Sequence, residues 1–388
     1  MRDEPGRDPR LDGVRGLAIL LVMLFHTAQW GVVRRPADHA LTAVASLGWT
    51  GVDLFFVLSG FLITGILLTT RESSTYASAF YARRTLRIFP LYYTVLAFLL
   101  LVAPRLPLLS DVEAVWSRGA RGEELWHWLY LSNVDVARHG WGHLALTVTW
   151  SLAVEEHFYL LWPWIVRRVS EQRLLLVCVA IAAGALVSRA AVFASGAPSL
   201  AAYVLTPCRL DTLATGAAIA IAARRPGGLA PLADFARRLL GAAACVFAGV
   251  ALYARILLQD RPLLRQVSEL LTDPLVATLG YSALCALWGS LLVLLLTAAP
   301  GARLGRAFEL GALRSLGRYS YALYLLHLPV AIALGQVFPP EPFARHFALA
   351  QIAYWLAVIG STYLLARVTW IVLEAPLLRL KRHVPYRV

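Results

Sequence analysis

Ten stretches of this chain are runs of about twenty mainly apolar residues, the length an α-helix needs to cross the hydrocarbon core of a bilayer. Lipid offers a peptide group no hydrogen-bond partner, so a helix that crosses it satisfies its backbone internally. The runs fall near Val14–Val33, Gly48–Thr69, Ile88–Leu109, Thr147–Val166, Leu174–Ala194, Leu210–Ala223, Leu239–Leu258, Pro274–Ala298, Leu316–Gly335 and Phe347–Leu373. The sixth is short and the fourth carries two carboxylates. Composition points the same way: 59% of the 388 residues are hydrophobic and 15% charged, where soluble domains run at ~45–50% and ~25%. The expected fold is all-α, a polytopic membrane protein with about ten transmembrane helices.

The 36 Lys+Arg against 23 Asp+Glu leave a formal charge of +13. A nucleic-acid binder would gather such a surplus on one solvent-exposed face; here the arginines lie between apolar runs, so no nucleic-acid partner is expected. An even number of crossings puts both termini on one side. With the N-terminus cytoplasmic, roughly two-thirds of the basic residues fall in inner segments, the bias of the positive-inside rule. The first run is too long for a signal peptide, contains His26 and lacks a small-residue cleavage pattern. The 4 cysteines form no C-x-x-C pair, and no metal or redox site is expected. No internal repeat or linker divides the chain, so a single domain over 1–388 is expected. The longest loop, about Val102 to Leu146, carries Trp116, Trp126, Trp128 and Trp141, an interfacial belt first and an acceptor platform second.

Ionisable residues inside the runs are costly and mark candidate sites. Arg15 and His26 lie eleven residues apart, which on a helix gives them a common face roughly 16 Å apart along the axis, with His26 about halfway across. The alternative is a histidine hydrogen-bonded between helices. Before the third run, Arg83, Arg84 and Arg87 cluster on one side if the segment is helical. Guanidinium forks suit phosphate, although a plain positive-inside anchor has the same appearance. In the fourth run Glu155 and Glu156 point about 100° apart, so one is expected to orient a histidine or act as a base, and the other to pair with Arg209 or Arg189. Asp53 and Ser59 in the second run and His327 in the ninth are further candidates, whereas Arg209 with Asp211 reads as a structural ion pair.

Six stretches, in order, carry a resemblance: Arg10-Leu-Asp-Gly-Val-Arg-Gly-Leu-Ala18 with His26, Gly51-Val-Asp-Leu-Phe-Phe-Val-Leu-Ser-Gly-Phe-Leu-Ile63, Arg84-x-x-Arg87, Trp150-Ser-Leu-x-Val-Glu-Glu-x-Phe-Tyr159, Arg209-Leu-Asp211 and Ser320-Tyr-x-Leu-Tyr-Leu-x-His327. Together they resemble the acyltransferase family 3 membrane proteins, from Arg10 to Glu374-Ala-Pro376. The resemblance implies an O-acyltransferase of the bacterial cytoplasmic membrane that takes an acyl group, usually acetyl, from cytoplasmic acyl-CoA. The acceptor would be a hydroxyl of a cell-surface glycan, a lipid-linked glycan or a glycosylated small molecule. It implies importance for Arg15, His26, Arg84 and Arg87, and a stand-alone form without an appended extracytoplasmic esterase-like domain. Acyl-CoA is then a donor substrate, with no bound cofactor. Some such histidines have a carboxylate one turn on; Gln29 stands there, so Glu156 is expected to partner His26.

The expected mechanism has His26 removing the acceptor proton during attack on the thioester, with an acyl-histidine intermediate as the variant. Ser59 or a tyrosine hydroxyl would hold the developing oxyanion. The competing class is a multi-pass transporter without acyl transfer, which would show inverted repeats and broken helices.

Overall fold

Each of the ten apolar runs overlaps a long helix in the computed structural model, which describes residues 8–28, 36–105, 124–257, 270–337 and 347–387. In chain order these helices are α1 (Pro9–His26), α2 (Gly51–Thr69), α3 (Tyr76–Ala97), α4 (Thr149–Arg168), α5 (Glu171–Ala194), α6 (Thr206–Ala223), α7 (Ala233–Leu257), α8 (Tyr281–Thr297), α9 (Ser320–Val337) and α10 (Phe347–Thr369). The remaining regular elements among the described residues are also helical, and short. Seven segments, overlapping α2, α3, α5, α6, α7, α8 and α10, are long and apolar enough to cross a membrane. The other three, α1, α4 and α9, carry His26, Glu155 with Glu156, and His327.

Two helix ends differ from the sequence expectation. Asp8 caps α1, its carboxylate accepting from Arg10 N at 2.9 Å with Pro9 at the first turn. The helix closes where Thr27 N and Oγ1 both donate to Met23 O, at 3.0 and 2.6 Å. His26 therefore stands at the end of α1 and not halfway along a longer span. At the other boundary, α3 begins at Tyr76 rather than Ile88, so Arg83, Arg84 and Arg87 are part of the helix itself. The expected span ends Val33, Leu109 and Leu258, together with Gln29 and Trp116, lie outside the described residues.

Contacts between helix ends define a basic end of the bundle. Arg10 Nη1 donates to Leu295 O at 2.7 Å, tying the start of α1 to the end of α8. Arg71, just after α2, donates to Val169 O at 2.8 Å, just after α4. Arg224 and Glu171 pair at 3.7 Å, joining the end of α6 to the start of α5.

Glycines let the backbones touch, the usual device of helix packing in lipid. A Cβ on Gly13 or Gly16 would lie 1.9 Å from a carbonyl oxygen of Phe308 or Leu313, and one on Gly317 would lie 1.8 Å from Asp12 O. The short helix Gly311–Arg318 thereby lies directly against α1. Gly60 on α2 and Gly216 on α6 play the same part for each other's helices.

Four buried charges form two ion pairs, and not in the combination expected. Arg209 bonds Asp53 at 2.7 Å and Arg189 bonds Asp211 at 2.7 Å, all four side chains being buried. Arg209 with Asp211 is thus not the pair. Neither arginine is taken by Glu155 or Glu156, because Asp53 and Asp211 reach them first from α2 and α6. Asp53 acts here as a tie between α2 and α6.

Candidate active site

A cavity of about 750 Å3 runs into the bundle between α1, α2, α3, α4 and α9, with the segment after α10 along one wall. Its walls carry eight basic side chains and two acidic ones, Asp12 and Glu155. The exposed Arg379 and Arg382 mark its mouth at the basic end. Such a surplus in a low-dielectric cleft attracts a multiply charged anion, and the volume lies in the range of small-molecule sites, ~300–1,000 Å3.

The basic residues differ in their engagement. Arg15 pairs with Asp12 at 2.9 Å, one turn away on α1. Arg87 pairs with Glu374 at 3.2 Å. Arg84 lies 4.0 Å above the Tyr159 ring centre, a cation–π contact, and its buried Nε has no hydrogen-bond partner among the described residues. Arg83 is directed elsewhere: its Nη1 donates to the carbonyls of Lys381 and Val384, both at 3.1 Å.

Deeper in, Ser59 Oγ donates to Glu155 Oε1 at 2.5 Å. That hydroxyl proton is committed, so Ser59 is not the spare donor expected for an oxyanion. Ser151 and Tyr324 hydroxyls meet at 2.5 Å in the cavity wall. His327 follows Tyr324 by one turn of α9 and is fully buried.

His26 Nδ1 and His327 Nε2 are 3.1 Å apart. The tautomers follow from what His327 does on its other side. Its Nδ1 lies 2.9 Å from Tyr324 O and 3.1 Å from Leu323 O. Carbonyls only accept, so Nδ1 carries the proton and, in the neutral ring, Nε2 is an acceptor. His26 Nδ1 must then be the donor, which leaves the lone pair of His26 on Nε2. The partner of His26 at Nδ1 is therefore His327, brought by α9, and not Glu156. Glu156 is half-buried on α4 and does not line the cavity.

The cavity thus brings together Arg15, Arg83, Arg84, Arg87, Ser59 and Glu155; the histidine pair stands one turn beyond Tyr324, and Asp53 lies apart in its ion pair. Four further basic residues in the wall, Arg318, Arg379, Lys381 and Arg382, were read in the sequence only as topological charge. The one linear signal for them is the cluster of three cations at 379–382.

Residues 8–371 match the family described as an acyltransferase domain. The chain belongs to the acyltransferase 3 family. The peptidoglycan O-acetyltransferase OatA of Listeria monocytogenes is 25% identical over 388 residues, covering 95% of this chain and 55% of that protein. The O-acetyltransferase OatA of Staphylococcus aureus is 25% identical over 383 residues, 95% of this chain and 57% of its own length. A putative peptidoglycan O-acetyltransferase of Bacillus subtilis, YrhL, is 32% identical over 165 residues, 40% of this chain and 23% of its own length. This acyltransferase 3 chain spans just over half the length of the two OatA relatives. No solved structure matches it.

Proposed function

We propose that this chain is a multi-pass O-acetyltransferase of the bacterial cytoplasmic membrane that takes acetyl from cytoplasmic acetyl-CoA and passes it to a hydroxyl of a cell-surface glycan. The observation that carries the reading is the continuity of one cavity, lined by cations at its mouth and reaching to within a helical turn of a tautomer-fixed histidine. In this reading α1, α4 and α9 join the seven apolar segments as spans, ten in all, and both termini are cytoplasmic with the basic end. Peptidoglycan, named for the relatives, is the first acceptor to test.

The phosphates of the donor rest on Arg15, Arg84 and Arg87, and the pantetheine arm carries the thioester past Ser59 and Glu155. His26 Nε2 takes the proton of the acceptor hydroxyl as its oxygen attacks the thioester carbonyl. The tetrahedral intermediate collapses by expelling the CoA thiolate, which recovers that proton from the imidazolium. His327 holds the Nδ1–H of His26 throughout, the part a carboxylate takes in a Ser-His-Asp triad.

Purified protein in vesicles with labelled acetyl-CoA tests the reading directly: label should move to a glycan acceptor, and no transfer to any glycan hydroxyl would refute it. Arg84→Ala should raise KM for acetyl-CoA about tenfold or more, as loss of a charge-assisted contact does, with a smaller change in acceptor KM. An unaltered donor KM would remove Arg84 from the donor site. His327→Ala should lower kcat on the order of 10²-fold, because His26 then loses its fixed tautomer. His327→Gln, whose side-chain oxygen still accepts, should retain more activity; equal losses in the two variants would count against the tautomer role.

A further inference from the structure

Four cations of the cavity wall stand apart from the arginines of α1 and α3: Arg318, and Arg379, Lys381 and Arg382 on the segment that follows α10. That segment is strapped to the turn between α2 and α3. Arg83 donates to the carbonyls of Lys381 and Val384, and its guanidinium lies 5.5 Å from the centre of the Tyr386 ring. Ser73 Oγ and Ser74 N both donate to Arg387 O, at 2.8 and 2.9 Å. Thr75 Oγ1 donates to Pro385 O at 2.9 Å and accepts from Arg387 N at 3.0 Å. The segment is held at both its backbone and its aromatic side chain, and the result is to keep three cations on the rim of the cavity.

The inner arginines are poorly matched to all the charge of a CoA donor. Arg15 and Arg87 already face Asp12 and Glu374, and Arg83 is occupied with the tail. CoA carries a pyrophosphate and, apart from it, a ribose 3′-phosphomonoester that is close to dianionic near neutral pH, since the second pKa of such a group is about 6. Two separated anionic groups call for two groups of cations, and the cavity has two.

We propose that Arg379, Lys381 and Arg382, with Arg318, form a second anion subsite that binds the 3′-phosphomonoester of the donor, and that Arg83 is the positioning residue that holds this subsite in place. The proposal rests on the acyl-CoA reading above. It makes the enzyme selective for CoA over donors that lack that phosphate. Because the rim is exposed, the selectivity weakens as salt rises, whereas contacts deeper in the cavity are less screened.

The experiment compares KM for acetyl-CoA and for acetyl-dephospho-CoA, using the full chain in nanodiscs of zwitterionic lipid. The wild type should prefer acetyl-CoA by about tenfold, the scale of one charge-assisted phosphate contact. In Arg379→Ala/Arg382→Ala the preference should fall to about one, and Arg83→Ala, which releases the tail, should produce the same collapse. Thermal stability of each variant separates loss of the subsite from loss of the fold, and Arg379 and Arg382 are exposed side chains. Arg382→Gln alone should give an intermediate ratio. If the wild type transfers acetyl from neither donor, the acyl-CoA reading itself fails. If it uses acetyl-CoA but shows no preference, or if the variants raise both KM values by one factor, the subsite is overturned while the donor reading stands. A preference that appears only in anionic nanodiscs would assign the cations to lipid phosphate and likewise overturn it.

Discussion

Replacing His26 with alanine is expected to lower acetyl transfer by on the order of 10³-fold or more, within the range of general-base catalysis, while folded protein accumulates normally. The lone pair of His26 is fixed on Nε2 by the chain of hydrogen bonds through His327 to the Tyr324 carbonyl. Three other imidazoles are engaged elsewhere: His127 meets Thr149 Oγ1, His157 meets Thr206 Oγ1 and His139 meets Asp135. The loss should fall on kcat, because the proposed donor-phosphate contacts are on other helices and on Arg15, eleven positions earlier. His26→Gln should be about as inactive, since an amide fills the space without accepting a proton. The measurement is transfer of labelled acetyl by purified protein, normalised to folded protein by size exclusion. Full activity in either variant would end the role assigned to His26.

Gly16→Leu is expected to prevent the fold, at or above the upper end of single-residue effects, roughly 4–5 kcal/mol. The new Cβ would stand 1.9 Å from the carbonyl oxygen of Leu313, and backbone cannot rotate aside as a side chain can. The helix Gly311–Arg318 would have to leave α1, taking Gly317 and Arg318 out of the cavity wall. Gly184→Leu on α5 is the matched control. Nothing lies within 4 Å of its Cβ position, so it should fold normally. The comparison is read as monodisperse yield and as thermal stability in detergent. Equal yields of the two would mean that α1 and its neighbour are less closely packed than the structure has them.

The sequence carried the skeleton of this fold because span length is a local property: each apolar run can be counted without knowing its neighbours. The common helix of Arg15 and His26, and the i,i+3 relation of Arg84 to Arg87, were legible for the same reason, being fixed by helical geometry. What was not legible is every relation across helices. Arg209 could be seen beside Asp211 in sequence, yet it bonds Asp53 across the bundle, and nothing in the spacing distinguishes these partners. His327 was visible as a polar residue in an apolar run, but its contact with His26 depends on where α9 lies against α1. The cations at 379–382 read as a topology signal because charge beyond a last span is ordinary; their place in the cavity exists only once the tail folds back onto Arg83 and the turn before α3.

The two histidines that face each other are 301 residues apart in the chain. At about 5–20 residues per second of synthesis, His26 is in place roughly 15–60 s before its partner is made. A nascent chain that has made α1 and α3 holds Arg15, Arg83, Arg84 and Arg87, but the hydrogen-bond partner of its His26 has yet to be made. On the roles proposed above, the growing protein would gather a donor long before it could react with it, and the helices made last would decide when the site is complete.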